Sequence, residues 1–136
     1  AGVETSGVTF VFETGEIWAV DTALLTYNTK KLFYTDIENK YVKSLRDYGQ
    51  FLQMLGIKPP YRWVAGLTGT KGRSLGYPPP PGHSWLHEAG PVCLTDQIEA
   101  EGEYDGKESA LAALLPFLNK IFDKCGQPRP DYLKTE

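Results

Sequence analysis

The sequence predicts an α+β domain, in which an antiparallel or mixed β-sheet carries two helices packed on one of its faces. Short β-branched and aromatic runs, bounded by turn residues, predict strands, and two longer segments repeat apolar residues at helical spacing. These elements do not follow the regular alternation of a parallel βαβ fold. Because 136 residues is a usual size for one domain, we expect residues 1–136 to form a single unit.

The first strands are predicted as a hairpin. Residues 8–12 and 17–20 are β-branched or aromatic runs, and Gly15 between them can supply the positive φ of a tight turn. Residues 31–34 (KLFY) indicate a further short strand.

The clearest element is a helix from about Asp36 to Leu55. Thr35 and Glu38 have the spacing of a capping box, in which each side chain binds a free backbone N–H at a helix start. Gly56 can adopt the positive φ that ends a helix, and Ile57 can make the apolar contact that accompanies such an end. Prolines follow and prevent the helix from continuing. The predicted buried stripe consists of Tyr41, Leu45, Tyr48, Leu52 and Leu55.

Two strands and a second helix complete the prediction. Residues 61–67 form an apolar run typical of a buried strand, whereas residues 94–104 alternate between an apolar face and a face carrying three glutamates. We expect the glutamate face to meet water or a basic partner. Residues 111–125 repeat apolar side chains at helical spacing up to Gly126, and Pro116 predicts a kink or a break near Leu115.

Composition narrows the classes of function. The net charge of −3 lacks the basic excess of a nucleic-acid-binding domain, although residues 1–75 carry nine basic and seven acidic side chains. No apolar run is long enough to span a bilayer. Cys93 and Cys125 form no metal or redox motif, so we expect buried free thiols in a reducing compartment, the cytoplasm.

A basic, glycine-rich stretch suggests one kind of ligand. Residues 68–74 (TGTKGRS) combine glycines, hydroxyls and two cations, a composition that can hold a phosphate through backbone N–H groups and charge. It lacks the order of residues of a P-loop. Phosphate or nucleic acid would bind here with help from the first helix, through Lys71, Arg73, Lys40, Lys43 and Arg46.

Enzyme chemistry has only scattered candidates. His83 and His87 have the i,i+4 spacing of metal ligands on a helix, but prolines and glycines surround them and neither HExxH nor a cysteine pair completes a site. A small metal-dependent hydrolase would have to bring both histidines together with Asp21, Glu38 and Asp96 in one pocket. Both carboxylates also have a structural interpretation: Glu38 caps the first helix, and Asp96 lies at the frayed start of a strand.

Four consecutive prolines, residues 78–81, predict an extended polyproline II segment on the surface. Such a segment either docks on the aromatic groove of a partner domain or packs on aromatic side chains of its own chain, here Tyr77 and Trp85. The sequence leaves both readings open.

Taken together, these features favour a non-catalytic binding or accessory module, a domain of a larger intracellular protein whose partner is another protein or a neighbouring domain. No complete catalytic constellation occurs and no cofactor is implied. Binding of nucleic acid or a phosphate ligand is the second hypothesis, and a small hydrolase is the third.

Overall fold

The computed structural model describes residues 30–82 and 90–136, together with the backbone of residues 7–11 and 16–21. The strands are β1 (Gly7–Val11), β2 (Glu16–Asp21), β3 (Lys31–Phe33), β4 (Tyr61–Thr68), β5 (Ser74–Gly76) and β6 (Gln97–Tyr104). A four-stranded mixed sheet has the order β1-β2-β4-β6, and β3 pairs with β5 in a separate parallel sheet. The predicted α+β class is confirmed.

The hairpin and the short third strand are also confirmed. Strands β1 and β2 are antiparallel with Val11 opposite Ile17, and the predicted turn at Gly15 lies outside the described residues. Strand β2 then runs parallel to β4. Strand β5 was not predicted because it lies within and just after the glycine-rich stretch, where three residues give no periodic signal.

Helix α1 (Tyr34–Met54) starts earlier than the sequence predicted, and its predicted cap is wrong. The N-cap is Phe33, which makes no side-chain cap, while Thr35 and Glu38 lie inside the first helical turns. The C-terminal prediction is confirmed. Gly56 has φ +80°, and the amides of Gly56 and Ile57 donate to the carbonyls of Gln53 and Leu52, as in a Schellman motif.

The paired strands β4 and β6 have one buried face and one exposed face. The register pairs Tyr61 with Tyr104 and Leu67 with Ile98, and all four side chains are buried under the helices. The glutamates of β6 lie on the opposite, exposed face, as predicted, where Arg62 forms an ion pair with Glu101 at 2.6 Å. The strand begins at Gln97 rather than Leu94, which is 68% exposed.

Helix α2 (Ala110–Lys124) is continuous, so of the predicted kink or break near Leu115 the break does not occur. Pro116 lies inside the helix with its ring exposed to solvent. The Ser109 hydroxyl caps the N-terminus by accepting from the Ala112 amide at 3.0 Å. Gly126, with φ +83°, ends the helix as the sequence predicted.

Both helices pack on the same face of the sheet and contact each other through aromatic rings. The ring of Tyr41 from α1 lies 4.9 Å from Phe117 of α2, and its hydroxyl donates to the Gly66 carbonyl of β4. The Trp63 ring occupies the space above Gly102, where a Cβ atom would lie 2.6 Å from the ring. Glycine at this position of β6 is therefore a packing requirement.

The two cysteines are joined, which corrects the prediction of free thiols. Cys93 and Cys125 form a disulfide between the segment before β6 and the C-cap of α2, and both residues are buried. Their separation of 32 residues gave no sequence signal, because the pairing depends on how the two segments pack. No helix in the described part of the chain is both long and apolar enough to cross a membrane.

Candidate functional site

The glycine-rich loop uses its backbone donors within the protein. The amides of Gly69 and Thr70 donate to the Asp96 carbonyl, and the amide of Gly72 donates to the Cys93 carbonyl at 2.9 Å. The Arg73 amide donates to the carbonyl of Thr70. Since these donors are occupied, the loop does not offer them to a phosphate, and an anion here would be bound by side chains.

The five predicted cations lie on two elements of the fold. Lys71 and Arg73 lie on the loop that leaves β4 after Thr68, and Arg73 is half-buried. Lys40, Lys43 and Arg46 lie on α1, where Arg46 acts electrostatically on Tyr104, the partner of Tyr61 at the start of β4.

The cations on α1 are accompanied by acidic residues. Lys43 pairs with Asp47 at 3.0 Å, and Arg46 lies 3.8 Å from the same carboxylate. Charges of both signs also line a shallow groove along this helix. Its lining residues are Asp36, Asn39, Lys40, Lys43, Ser44, Asp47 and Tyr48. This mixture of charges does not favour an anion.

Glu38, a candidate hydrolase carboxylate, belongs instead to a buried cluster. Its Oε1 accepts from the Tyr34 hydroxyl at 3.0 Å and from Arg129 Nη2 at 3.0 Å. The Arg129 side chain is only 5% exposed and also donates to the Tyr34 hydroxyl and to the Lys134 carbonyl. Burial raises the pKa of the Tyr34 phenol, the Arg129 hydrogen bond lowers it and the Glu38 charge raises it. The cluster fixes the C-terminal segment to α1.

Of the other hydrolase candidates, only Asp96 has a side chain among the described residues. Asp96 is exposed at the bend before β6, as expected for a frayed strand start. Asp21 ends β2, and its side chain lies outside the described residues, as do His83 and His87. Within the described residues, no group of three or more His, Cys, Asp or Glu side chains is arranged to hold a metal ion.

The proline segment, residues 77–82, is held at its start by side chains from elsewhere in the fold. The ring of Tyr77 packs edge-on against Phe122 at 5.2 Å, and its hydroxyl accepts from Gln127 Nε2 at 2.8 Å. The Tyr132 hydroxyl donates to the Pro78 carbonyl at 2.7 Å. The packing of the prolines on Tyr77 and Trp85 stays a prediction, since Trp85 lies outside the described residues, and the contact at Pro78 comes from Tyr132.

The chain is also fixed where the proline segment leaves the fold. Strand β5 precedes the segment, and the Leu75 amide donates to the Pro91 carbonyl at 2.7 Å. Ser74 forms a β-bridge with Val92, and the Cys93 disulfide follows directly. Gly90 lies so close to Leu75 that a Cβ would come 2.0 Å from the Leu75 carbonyl oxygen. This close approach requires glycine.

Exposure increases along the proline segment. Tyr77, Pro78 and Pro79 are half-buried, whereas Pro80, Pro81 and Gly82 are exposed. The fold therefore holds one end of the segment and leaves the other on the surface.

Sequence reasoning missed the residues that hold this segment and the C-terminal cluster. Gln127, Arg129 and Tyr132 follow α2 in a polar, proline-containing tail without periodicity. The one available signal was Tyr132, a large aromatic in a stretch otherwise typical of solvent-exposed chain. Their contacts connect residues 50 to 95 positions apart, which no local pattern predicts.

No protein-family model matches the chain, and no curated protein or solved structure matches it either.

Proposed function

We propose that the chain is a non-catalytic protein-interaction module and that the proline segment is its recognition element. The observation that carries this proposal is the anchoring of Tyr77 and Pro78 next to exposed Pro80 and Pro81. A segment held in place by its own fold loses little conformational entropy when it binds, so more of the contact energy contributes to affinity.

The surroundings of the segment support the same function. Proline fixes φ and carries no N–H, so a run of prolines cannot extend the neighbouring strand β5. The hydrogen bond from the Leu75 amide to the Pro91 carbonyl and the adjacent disulfide hold the chain in place where the segment begins. Binding residues are often loop residues that a rigid scaffold positions in this way.

The proposed partner is another protein or a neighbouring domain of the same polypeptide. Phosphate and nucleic-acid binding are less well supported, because the amides of Gly69, Thr70 and Gly72 are occupied and cations on α1 are accompanied by acidic residues.

The disulfide bears on the compartment. Cytoplasmic residence was predicted from free thiols, and the pairing of Cys93 with Cys125 removes that reason. Disulfides persist in oxidising environments, so we propose that the protein resides in one. Acid quenching of cells, followed by alkylation of the denatured protein without reductant, tests this: two unreactive cysteines are expected, and two reactive ones would contradict it.

The interaction is tested by comparing partners captured by the wild-type chain with those captured by a variant in which Pro79, Pro80 and Pro81 are changed to Gly, Ser and Gly. The matched control is Pro59→Ser, which alters an exposed proline before β4. A captured protein is then purified and titrated against all three chains. We expect binding to the wild type and the control, and at least a tenfold loss for the triple variant.

Equal binding by the triple variant would refute the role of the proline segment. Turnover of a defined substrate, abolished by a single carboxylate or histidine change, would refute the non-catalytic assignment.

A further inference from the structure

We propose that the partner is a polyproline reader, a domain with a groove of aromatic side chains that donate hydrogen bonds to proline carbonyls, and that it binds residues 79–81. This inference rests on the proposed function and names the chemistry of its partner.

The conformation of the segment follows from sterics. Proline fixes φ near −65°, and a residue that precedes proline is restricted to extended or polyproline II conformations. Pro78, Pro79 and Pro80 each precede a proline, and the peptide bonds of the segment are trans. The segment therefore holds the three-residue-per-turn helix that such readers recognise before any partner binds.

The hydrogen-bonding capacity of the segment restricts the partner further. A proline contributes a carbonyl acceptor and no donor, so a partner can bind this backbone only by donating. Tyr hydroxyl and Trp indole N–H groups combine a donor with a flat apolar surface that packs on the pyrrolidine rings.

The chain itself provides an example of this contact. Tyr132 donates its hydroxyl to the Pro78 carbonyl at 2.7 Å while it remains 38% exposed. In this contact an aromatic side chain donates a hydrogen bond to a proline carbonyl. A reader domain would make the same kind of contact with the residues that follow Pro78. Because Tyr132 occupies Pro78, the part available to a partner begins at Pro79.

The size of the remaining surface sets the expected strength. Three residues form one turn of a polyproline II helix, about 9 Å long. Burial decreases from half-buried Pro79 to exposed Pro80 and Pro81, so most of the contact is expected on Pro80 and Pro81. A contact of this size belongs with small, transient interfaces.

The test uses three isolated reader domains, one each of the WW, SH3 and EVH1 classes, each labelled with nitrogen-15. The indole N–H signals of the groove tryptophans are followed while unlabelled chain is added up to 1 mM. We expect saturable shifts for at least one class. Changing Pro79, Pro80 and Pro81 to alanine should weaken that binding at least tenfold, and Pro59→Ala should leave it within twofold.

The proposal is overturned if no class shows saturable shifts, or if the triple alanine variant binds as well as the wild type. Thermal unfolding of each variant confirms that it is folded. If the readers fail while the captured partner still depends on the proline segment, the interaction module stands and only the partner class is wrong. If neither experiment depends on the segment, both proposals fail.

Discussion

The Arg129 guanidinium contacts the Tyr34 hydroxyl at 2.8 Å and Glu38 Oε1 at 3.0 Å, although about 90 residues separate the tail from the start of α1. An arginine that is 5% exposed costs free energy to desolvate, and its hydrogen bonds offset that cost. This contact closes the C-terminal segment over the start of α1, beside the residues that hold Tyr77 and Pro78.

Loss of this guanidinium should strongly destabilise the fold. Arg129→Ala leaves the Glu38 carboxylate, which is 21% exposed, without its cationic partner. Removing one member of a buried pair costs about 3 kcal/mol, so we expect a decrease of this order in the free energy of unfolding measured with urea. Arg46→Ala removes an exposed contact and should cost less than about 1 kcal/mol. Equal losses for both variants would contradict a structural role for the cluster.

The protein should lose stability in alkali because of Tyr34. Burial raises the pKa of this phenol in the folded state, so the folded state keeps a proton that the unfolded state releases above pH ~10. The contribution is complete below that pH and decreases as pH rises toward the folded pKa. Urea unfolding from pH 8 to 11.5 should show a decline, and Tyr34→Phe should make it shallower. An unchanged slope in the variant would assign the decline to other groups.

Reduction of the disulfide should destabilise the protein without changing its fold class. The bond closes a loop of 32 residues, and the chain-entropy model gives roughly 3–4 kcal/mol for a loop of that length. We expect the midpoint of urea unfolding to fall in reductant. A variant with both cysteines changed to alanine should unfold at the midpoint of the reduced wild type, whether or not reductant is present. A wild-type midpoint that does not respond to complete reduction, verified by thiol titration, would contradict this role.

Replacing Pro116 should stabilise the protein. A proline inside a helix lacks an N–H and its ring meets the carbonyl four residues earlier, here that of Ala112. Because the ring is exposed, Pro116→Ala loses little packing and restores a hydrogen bond. We expect the free energy of unfolding to rise by about 1–3 kcal/mol, measured with urea. Pro128→Ala, outside the helix, controls for a general effect of proline removal, and a decrease for Pro116→Ala would show that the ring is needed for packing.

Much of the fold was predictable where the cause is local. Helix α1 ends at Gly56 because the sequence offers a left-handed residue followed by an apolar one, and these make the Schellman bonds without help from the rest of the chain. The two faces of β6 follow from strict alternation. The start of α1 was less predictable, since Glu38 has the spacing of a cap but is bound by Arg129.

The candidate site was only partly predictable. The four prolines are a local signal, and their extended conformation follows from the geometry of proline itself. Which end is held and which is exposed depends on Gln127 and Tyr132, residues that reach the segment from 50 and 54 positions away.

The sequence alone determined the α+β class, the alternation of β6, the glycine-terminated helices and the extended prolines, because each arises from backbone preferences within a few residues. Tertiary structure decided the Cys93–Cys125 pairing, the binding of Glu38 by Arg129 and the use of the Gly69 and Gly72 amides within the protein. These outcomes depend on which distant segments the packed core brings together, and a one-dimensional pattern does not contain that information.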